Sequence, residues 1–172
     1  MQRVLLCAIS VWVGTVYAAG EKIVTVQRID AQGVGEPLGR IVLAEEAAGL
    51  RLTPALKGLP PGLHGFHLHE NPDCGPGEKD GTTQGGVAAG GHYDPAGTGR
   101  HEGPAGQGHL GDLPALSVDA QGVAAAPVTA PRLKLADAGG RALVIHAGGD
   151  NYSDQPEKLG GGGARIACGA VP

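Results

Sequence analysis

Residues 65–70 read Gly65-Phe66-His67-Leu68-His69-Glu70, an alternation of apolar and imidazole side chains with the two-residue period of a β-strand. Residues at i and i+2 of a strand face the same side, about 6.5 to 7 Å apart at Cα. His67 and His69 therefore leave one face together, while Phe66 and Leu68 enter a core on the other. Similar short apolar runs lie on either side. Strands are expected at Ile23–Ile29, Ile41–Ala44, Leu50–Leu56, Leu116–Ala120, Val123–Val128, Ala142–His146 and Arg165–Val171, with a hairpin closed by Gly122 at Asp119–Gly122. With Gly65–Glu70 these make about eight short strands, which suits an all-β domain, an eight-stranded Greek-key β-barrel or immunoglobulin-like sandwich. Two segments break the pattern, Asn71–Leu113 and Ala147–Ala164. Loops this long inside a compact domain are usually functional.

Composition agrees with that reading. The chain has 172 residues, the size of one domain, with 32 Gly and 13 Pro, too many for a helix bundle or coiled coil. Aromatic residues are only 3%, so the core must come from Val, Leu, Ile and Ala. The net charge is −4 and no basic, aromatic-studded stripe is present, which argues against nucleic acid as a partner.

The N-terminus reads as a secretory signal peptide. Arg3 gives a short positive start, Val4–Val16 is apolar, and the small residues Ala18 and Ala19 follow. The apolar run is shorter than the roughly 20 residues of a membrane span. Residues 1–19 are thus expected to be removed, leaving 20–172 as the folded domain with no membrane attachment. Cys7 leaves with the peptide. Cys74 and Cys168 remain, and an even number in an oxidising compartment reads as one disulfide.

All seven histidines lie between positions 64 and 146. Alone, the His67/His69 pair is a moderately specific metal signal. His146 ends a separate apolar strand, and His92, His101, His109 and Asp112 follow one another among glycines. Three imidazoles and a carboxylate form a tetrahedral set that zinc accepts, and four nitrogens suit Cu(II) in a tetragonal site. Six histidines filling two four-ligand sites would need one shared imidazole. Other motifs are accidental. Gly106-Gln107-Gly108-His109-Leu110-Gly111 has the letters of a dinucleotide fingerprint, but Pro114 interrupts the helix that should follow. His101-Glu102 lacks the second histidine of a helical zinc-protease motif. Asn151-Tyr152-Ser153 is a glycosylation sequon only in form, and no serine sits in a nucleophile elbow.

Gly65–His69, Gly90-Gly91-His92-Tyr93-Asp94-Pro95, His109-Leu110-Gly111-Asp112-Leu113 and Gly160–Gly169 together resemble copper/zinc superoxide dismutase. Ala130-Pro131-Arg132-Leu133 and Gly148–Asp154 resemble its bacterial periplasmic branch, and the likeness covers essentially the whole chain after the leader. The resemblance implies one copper per subunit on His67, His69, His92 and His146, and one zinc on His92, His101, His109 and Asp112, with His92 as the bridge. It implies that Asp150 hydrogen-bonds His67 and His101, that Cys74 and Cys168 are the family disulfide, and that His64 is structural. The implied reaction is disproportionation of superoxide to dioxygen and hydrogen peroxide, with protection of the periplasm as its role. Arg165 would hold the anion and His92 would hand over a proton. Lys79 and Lys158 are the further candidates for steering, but Thr82-Thr83-Gln84 stands where relatives often add another lysine. A copper-storage or copper-delivery module without turnover is the rival reading; loss of a zinc ligand or of the arginine would mark it, and all are present. After the leader only Phe66, Tyr93 and Tyr152 remain as aromatics, which leans toward a monomer or weak dimer.

Overall fold

A computed structural model describes residues 20–172; the expected signal peptide, residues 1–19, lies outside the described residues. The strands are β1 (Glu21–Asp30), β2 (Gly33–Glu46), β3 (Gly49–Lys57), β4 (Gly62–His64), β5 (Phe66–His69), β6 (Gly77–Lys79), β7 (Thr82–Gln84), β8 (Leu116–Val118), β9 (Val123–Ala124), β10 (Val128–Ala130), β11 (Ala142–His146) and β12 (Arg165–Ala170). One turn of helix, α1 (Leu135–Ala138), precedes β11. The largest sheet has eight antiparallel strands in the order β10-β3-β2-β1-β12-β11-β5, with β9 also on β3. Curled on itself, this sheet is the expected all-β barrel. Among the described residues no helix is long and apolar enough to cross a membrane.

Alternation places the core. Val24 and Val26 of β1, Ile41 and Leu43 of β2, and Leu50, Leu52 and Leu56 of β3 turn inward and are buried. Phe66 and Leu68 of β5 meet Leu143 and Ile145 of β11 in the same core. The opposite face of β11 carries Ala142 and Val144, which join Ile29, Ala89 and Cys168 in a small second cluster, with Cys74 packed against it. Through this cluster the first long loop lies on the outer face of the sheet.

Two local expectations are corrected and a third is trimmed. The expected strand Gly65–Glu70 forms as β5, Phe66–His69, one residue shorter at each end; the chain breaks before it at Gly65, so β4 pairs with β8 and β5 with β11. Gly65 bonds through its N–H to Gly148 O at 2.8 Å and accepts the His146 N–H at 2.8 Å, so it ties the start of β5 to the end of β11 and the second long loop. Val123–Val128 divides into β9 and β10 around Pro127, which has no N–H for a ladder. The turn at Asp119–Gly122 forms, with the N–H groups of Gln121 and Val123 both donating to Asp119 Oδ1 at 2.9 Å. Its flanks part into different sheets, however, so it is a corner and not a hairpin. The short β6–β7 hairpin inside the first loop is an addition that the apolar pattern does not signal.

The Cys74–Cys168 disulfide closes a sequence separation of 94 residues. In the chain-entropy view a loop that long is worth about 4 to 5 kcal/mol. Cys168 pairs with Gln27 of β1 and Val144 of β11, so the bond fastens the first loop to the middle of the sheet. Reduction is expected to expose two titratable thiols and to make the chain between Gly75 and Gly86 more sensitive to protease, read by gel and mass spectrometry. Unchanged cleavage after reduction would show that the bond does not hold this loop.

Candidate metal centre

Registry on β11 brings the histidines together. His69 lies opposite Ala142 and His67 opposite Val144, so both imidazoles stand on the outer face beside His146. The long loop then runs against β5. Tyr93 N donates to Leu68 O and Leu68 N to Gly111 O, both at 2.8 Å, setting His92 beside His69 and Asp112 beside His67. This approach requires glycine at 111, where a Cβ would lie 2.8 Å from Tyr93 N.

His67, His69, His101 and His146 each spend one nitrogen on an acceptor, which orients the ring and turns the other nitrogen toward the site. His67 Nε2 donates to Asp150 Oδ2 at 2.8 Å, His69 Nδ1 to Gly90 O at 3.0 Å and His146 Nδ1 to Gly163 O at 3.2 Å. His101 Nε2 donates to Asp150 Oδ1 at 2.8 Å, so one carboxylate orients two rings. Six buried nitrogens remain without a hydrogen-bond partner: His67 Nδ1, His69 Nε2, His92 Nε2, His101 Nδ1, His109 Nδ1 and His146 Nε2. Burying so many unmet polar atoms is costly unless a cation takes their lone pairs.

The free nitrogens divide into two groups. Ligand atoms of His67, His69, His92 and His146 lie within 4.8 Å of one another, all buried. Four imidazoles without a carboxylate match the nitrogen set that Cu(II) accepts. Asp112 Oδ1 faces His92 Nδ1 at 2.9 Å, His101 Nδ1 at 3.0 Å and His109 Nδ1 at 3.3 Å, the carboxylate-and-imidazole set that zinc accepts. His92 belongs to both groups, Nε2 to the first and Nδ1 to the second. His67, His92, His101 and Asp112 also fall within 4.8 Å of one another, a foursome that leaves out His109. Because His67 Nε2 is occupied by Asp150, its remaining Nδ1 can serve only one ion.

Charge follows the same division. Burial, then neighbouring histidines, holds His69 and His146 well below the ordinary imidazole value, and burial lowers His67 despite its Asp150 partner. Burial pushes His92 down to about 3. For His101 burial acts downward too, but the Asp112 and Asp150 carboxylates beside its ring outweigh it and raise the group to about 9. Burial also works against charge on Asp112 and Asp150, yet the histidines bonded to them hold both carboxyls below the usual range. The metal-free fold thus keeps four imidazoles neutral that protonate near 6.5 when unfolded. Below that pH the unfolded chain binds more protons and stability falls with pH. His101, charged in both states there, does not offset the loss. The thermal midpoint of metal-free protein is expected to fall steadily from pH 6.5 to 4.5, and a flat profile over that range would contradict these four assignments.

Arg165 opens β12 and is half-buried beside the first group. Its Nη1 donates to Gly86 O at 2.5 Å and its Nη2 to Gly90 O at 2.7 Å, and Gly90 O also accepts from His69. The arginine is thereby held by the disulfide-fastened loop. It lines a cavity of about 410 Å³ with His92, His146, Lys79 and Lys158. Asp80 and Glu157 line the same cavity, so three cations face two carboxylates at its wall. His64 stands apart, buried with Nδ1 2.7 Å from His146 O and Nε2 2.8 Å from Pro60 O.

Sequence reasoning missed the groups that fix these residues through the backbone. Asp154 Oδ2 accepts the His101 N–H at 2.9 Å. The Tyr152 hydroxyl accepts the Ala115 N–H at 2.9 Å, and its ring covers Gly103, where a Cβ would come within 2.7 Å of the ring. Their signal in the sequence was the Gly148–Asp154 segment of the second long loop, which marks a family branch and no role for either side chain.

The sequence profile of the copper/zinc superoxide dismutase family matches residues 38–171. The chain is 58% identical over 155 residues to superoxide dismutase [Cu-Zn] 2 of Salmonella typhimurium, covering 90% of this chain and 89% of that one. Its fold is similar to the Cu/Zn superoxide dismutase of Brucella abortus, with TM-score 0.87, 51% identity, and 89% and 100% of the two chains covered. It is also similar to the monomeric copper, zinc superoxide dismutase of Salmonella enterica, with TM-score 0.80, 55% identity and the same coverage.

Proposed function

Because this chain belongs to the copper/zinc superoxide dismutase family, we propose that its two nitrogen-rich groups are the copper and zinc halves of one catalytic centre. The protein is a superoxide dismutase that uses copper and zinc. Our assignment places one copper on His67 Nδ1, His69 Nε2, His92 Nε2 and His146 Nε2. One zinc goes on the Nδ1 atoms of His92, His101 and His109 with Asp112 Oδ1. The observation that carries it is the set of six buried nitrogens without partners, four of them in the first group.

Bound copper supplies the one-electron couple that oxidises one superoxide and reduces the next, and bound zinc supplies positive charge to the shared imidazole. The remaining work belongs to side chains. Arg165 attracts and orients the anion through guanidinium charge and hydrogen bonds. In the state where copper does not hold His92 Nε2, that nitrogen would carry one of the two protons and give it to the reduced oxygen species, while Nδ1 stays on the zinc side; solvent would supply the other proton through the cavity. Two superoxide anions and two protons thus become dioxygen and hydrogen peroxide. Asp150 keeps His67 and His101 in the tautomers that leave both Nδ1 atoms free. Lys79 and Lys158 draw the anion inward, opposed by Asp80 and Glu157.

The bacterial relatives, together with a leader-like residue range 1–19, support export to the periplasm and protection of that compartment. We favour a monomer or weak dimer: Phe66 is buried, leaving few aromatic anchors for an interface, and the similar Salmonella enterica protein is described as monomeric. Sedimentation at micromolar concentration tests this, and a tight dimer would contradict it. For the activity, metal analysis is combined with a superoxide-removal assay. One copper and one zinc per chain with rapid removal is the expected result; full loading without turnover would leave a copper-delivery module.

A further inference from the structure

Arg132 belongs to no group described so far, yet its guanidinium is spent entirely on the loop that bears His101 and His109. It follows β10 and precedes α1, anchored by the buried Leu133 beside it. Nε donates to Pro104 O at 3.1 Å and Nη1 to Gly108 O at 3.2 Å. Nη2 donates to Gly103 O at 3.5 Å and to His109 O at 2.5 Å. Among the described residues no carboxylate forms an ion pair with it, so four backbone carbonyls alone answer its charge.

Four carbonyl dipoles converging on one point repel each other unless a cation sits between them. Gly106 and Gly108 let this loop fold tightly: a Cβ at Gly106 would lie 2.5 Å from Glu102 Cβ, and one at Gly108 would lie 3.1 Å from Glu102 N. His109 is the member of the carboxylate-containing group with the least support. Its ring is the most exposed of the three, and its Nδ1 is 3.3 Å from Asp112 Oδ1, against 2.9 and 3.0 Å for the others. His101 is oriented by Asp150, whereas His109 is reached through its carbonyl by Arg132.

We propose that Arg132 is a positioning residue for the zinc half of the centre, gathering the 103–109 carbonyls so that His109 Nδ1 faces the ion. The inference rests on the zinc assignment above. A lysine cannot replace it fully, because one ammonium lacks the planar fork that reaches separate carbonyls at once. Partners that orient a ligand from behind change metal affinity by about 10- to 100-fold when lost.

The test compares wild type, Arg132→Gln, Arg132→Lys, Asp112→Ala and the core variant Val26→Ala, each loaded with copper and zinc and challenged with a chelator at neutral pH. Arg132→Gln is expected to release zinc at least about 10-fold faster than wild type, with copper retained. Arg132→Lys should fall between the two, a partial rescue that a change in barrel stability would not produce. Cobalt(II) placed in the zinc position should show a shifted visible spectrum in Arg132→Gln, because one ligand has moved. Val26→Ala, destabilised in the core, should keep wild-type zinc release and cobalt spectrum. Wild-type zinc release in both Arg132 variants, or equal acceleration in Val26→Ala at matched stability, would overturn the inference. If Arg132→Gln does not fold, Arg132→Lys decides the matter by the same readings. Normal zinc retention in Asp112→Ala would instead show that the zinc assignment itself is wrong.

Discussion

Arg165→Ala is expected to reduce superoxide removal several-fold or more while leaving copper and zinc at wild-type content. The guanidinium lines the cavity with His92 and His146 but ligates nothing, since its donors are aimed at Gly86 O and Gly90 O. Burial lowers its pKa from the ordinary value, but an arginine starts so high that it stays charged at neutral pH. The chain as a whole carries −4, so a superoxide anion meets net repulsion until it reaches the local cations. Arg165→Glu should be worse than alanine, because attraction becomes repulsion at the point of approach. Exposed charges are screened over about 8 Å at physiological ionic strength. The wild-type rate should therefore fall with added salt, and the Glu variant should lose or reverse that fall. Wild-type rates in both variants, with full metal, would move the anion-binding role to another cation, with Lys79 the next to test.

Asp112→Ala carries the second large effect. It removes the one carboxylate from the zinc set and the oxygen that three imidazole nitrogens face. Zinc should fall well below one equivalent while copper still binds through His67, His69, His92 and His146. The side chain also accepts the Glu102 N–H at 3.2 Å, so the loop loses a backbone tie as well. A metal that binds only the folded chain stabilises it by mass action, and the variant should lose that increment of Tm. Calorimetry with and without added zinc measures it: a Tm that responds to zinc as in wild type would contradict the assignment.

What could be read from the sequence divides along a physical line. Alternation is local, so the faces of Phe66–His69 and Ala142–His146 were legible, as were the core strands around Val24, Ile41 and Leu52. Residue type was legible too: imidazoles and a carboxylate among glycines announce a cation. Pairing partners were not. Gly65 separates β5 from β4 because it bonds to Gly148 and His146, far away in sequence, and Pro127 divides one expected strand. The β6–β7 hairpin has three residues per strand and no apolar alternation to reveal it. Arg132, Tyr152 and Asp154 act on backbone N–H and carbonyl groups, which carry no side-chain signature; only the folded loops show them. The proposed sharing of His92 rests on counting six histidines against two four-ligand sites and on family resemblance. Its Nδ1, 2.9 Å from Asp112 Oδ1, and its place among His67, His69 and His146 support that proposal.

Diffraction from metal-loaded protein, with anomalous data at the copper and zinc absorption edges, tests the shared-histidine centre most directly. Copper signal should fall among His67 Nδ1, His69 Nε2, His92 Nε2 and His146 Nε2. Zinc signal should fall among the Nδ1 atoms of His92, His101 and His109 and Asp112 Oδ1, with one imidazole touching both peaks. A zinc peak coordinated by His67 in place of His109, or two metals with no common ligand, would contradict the account.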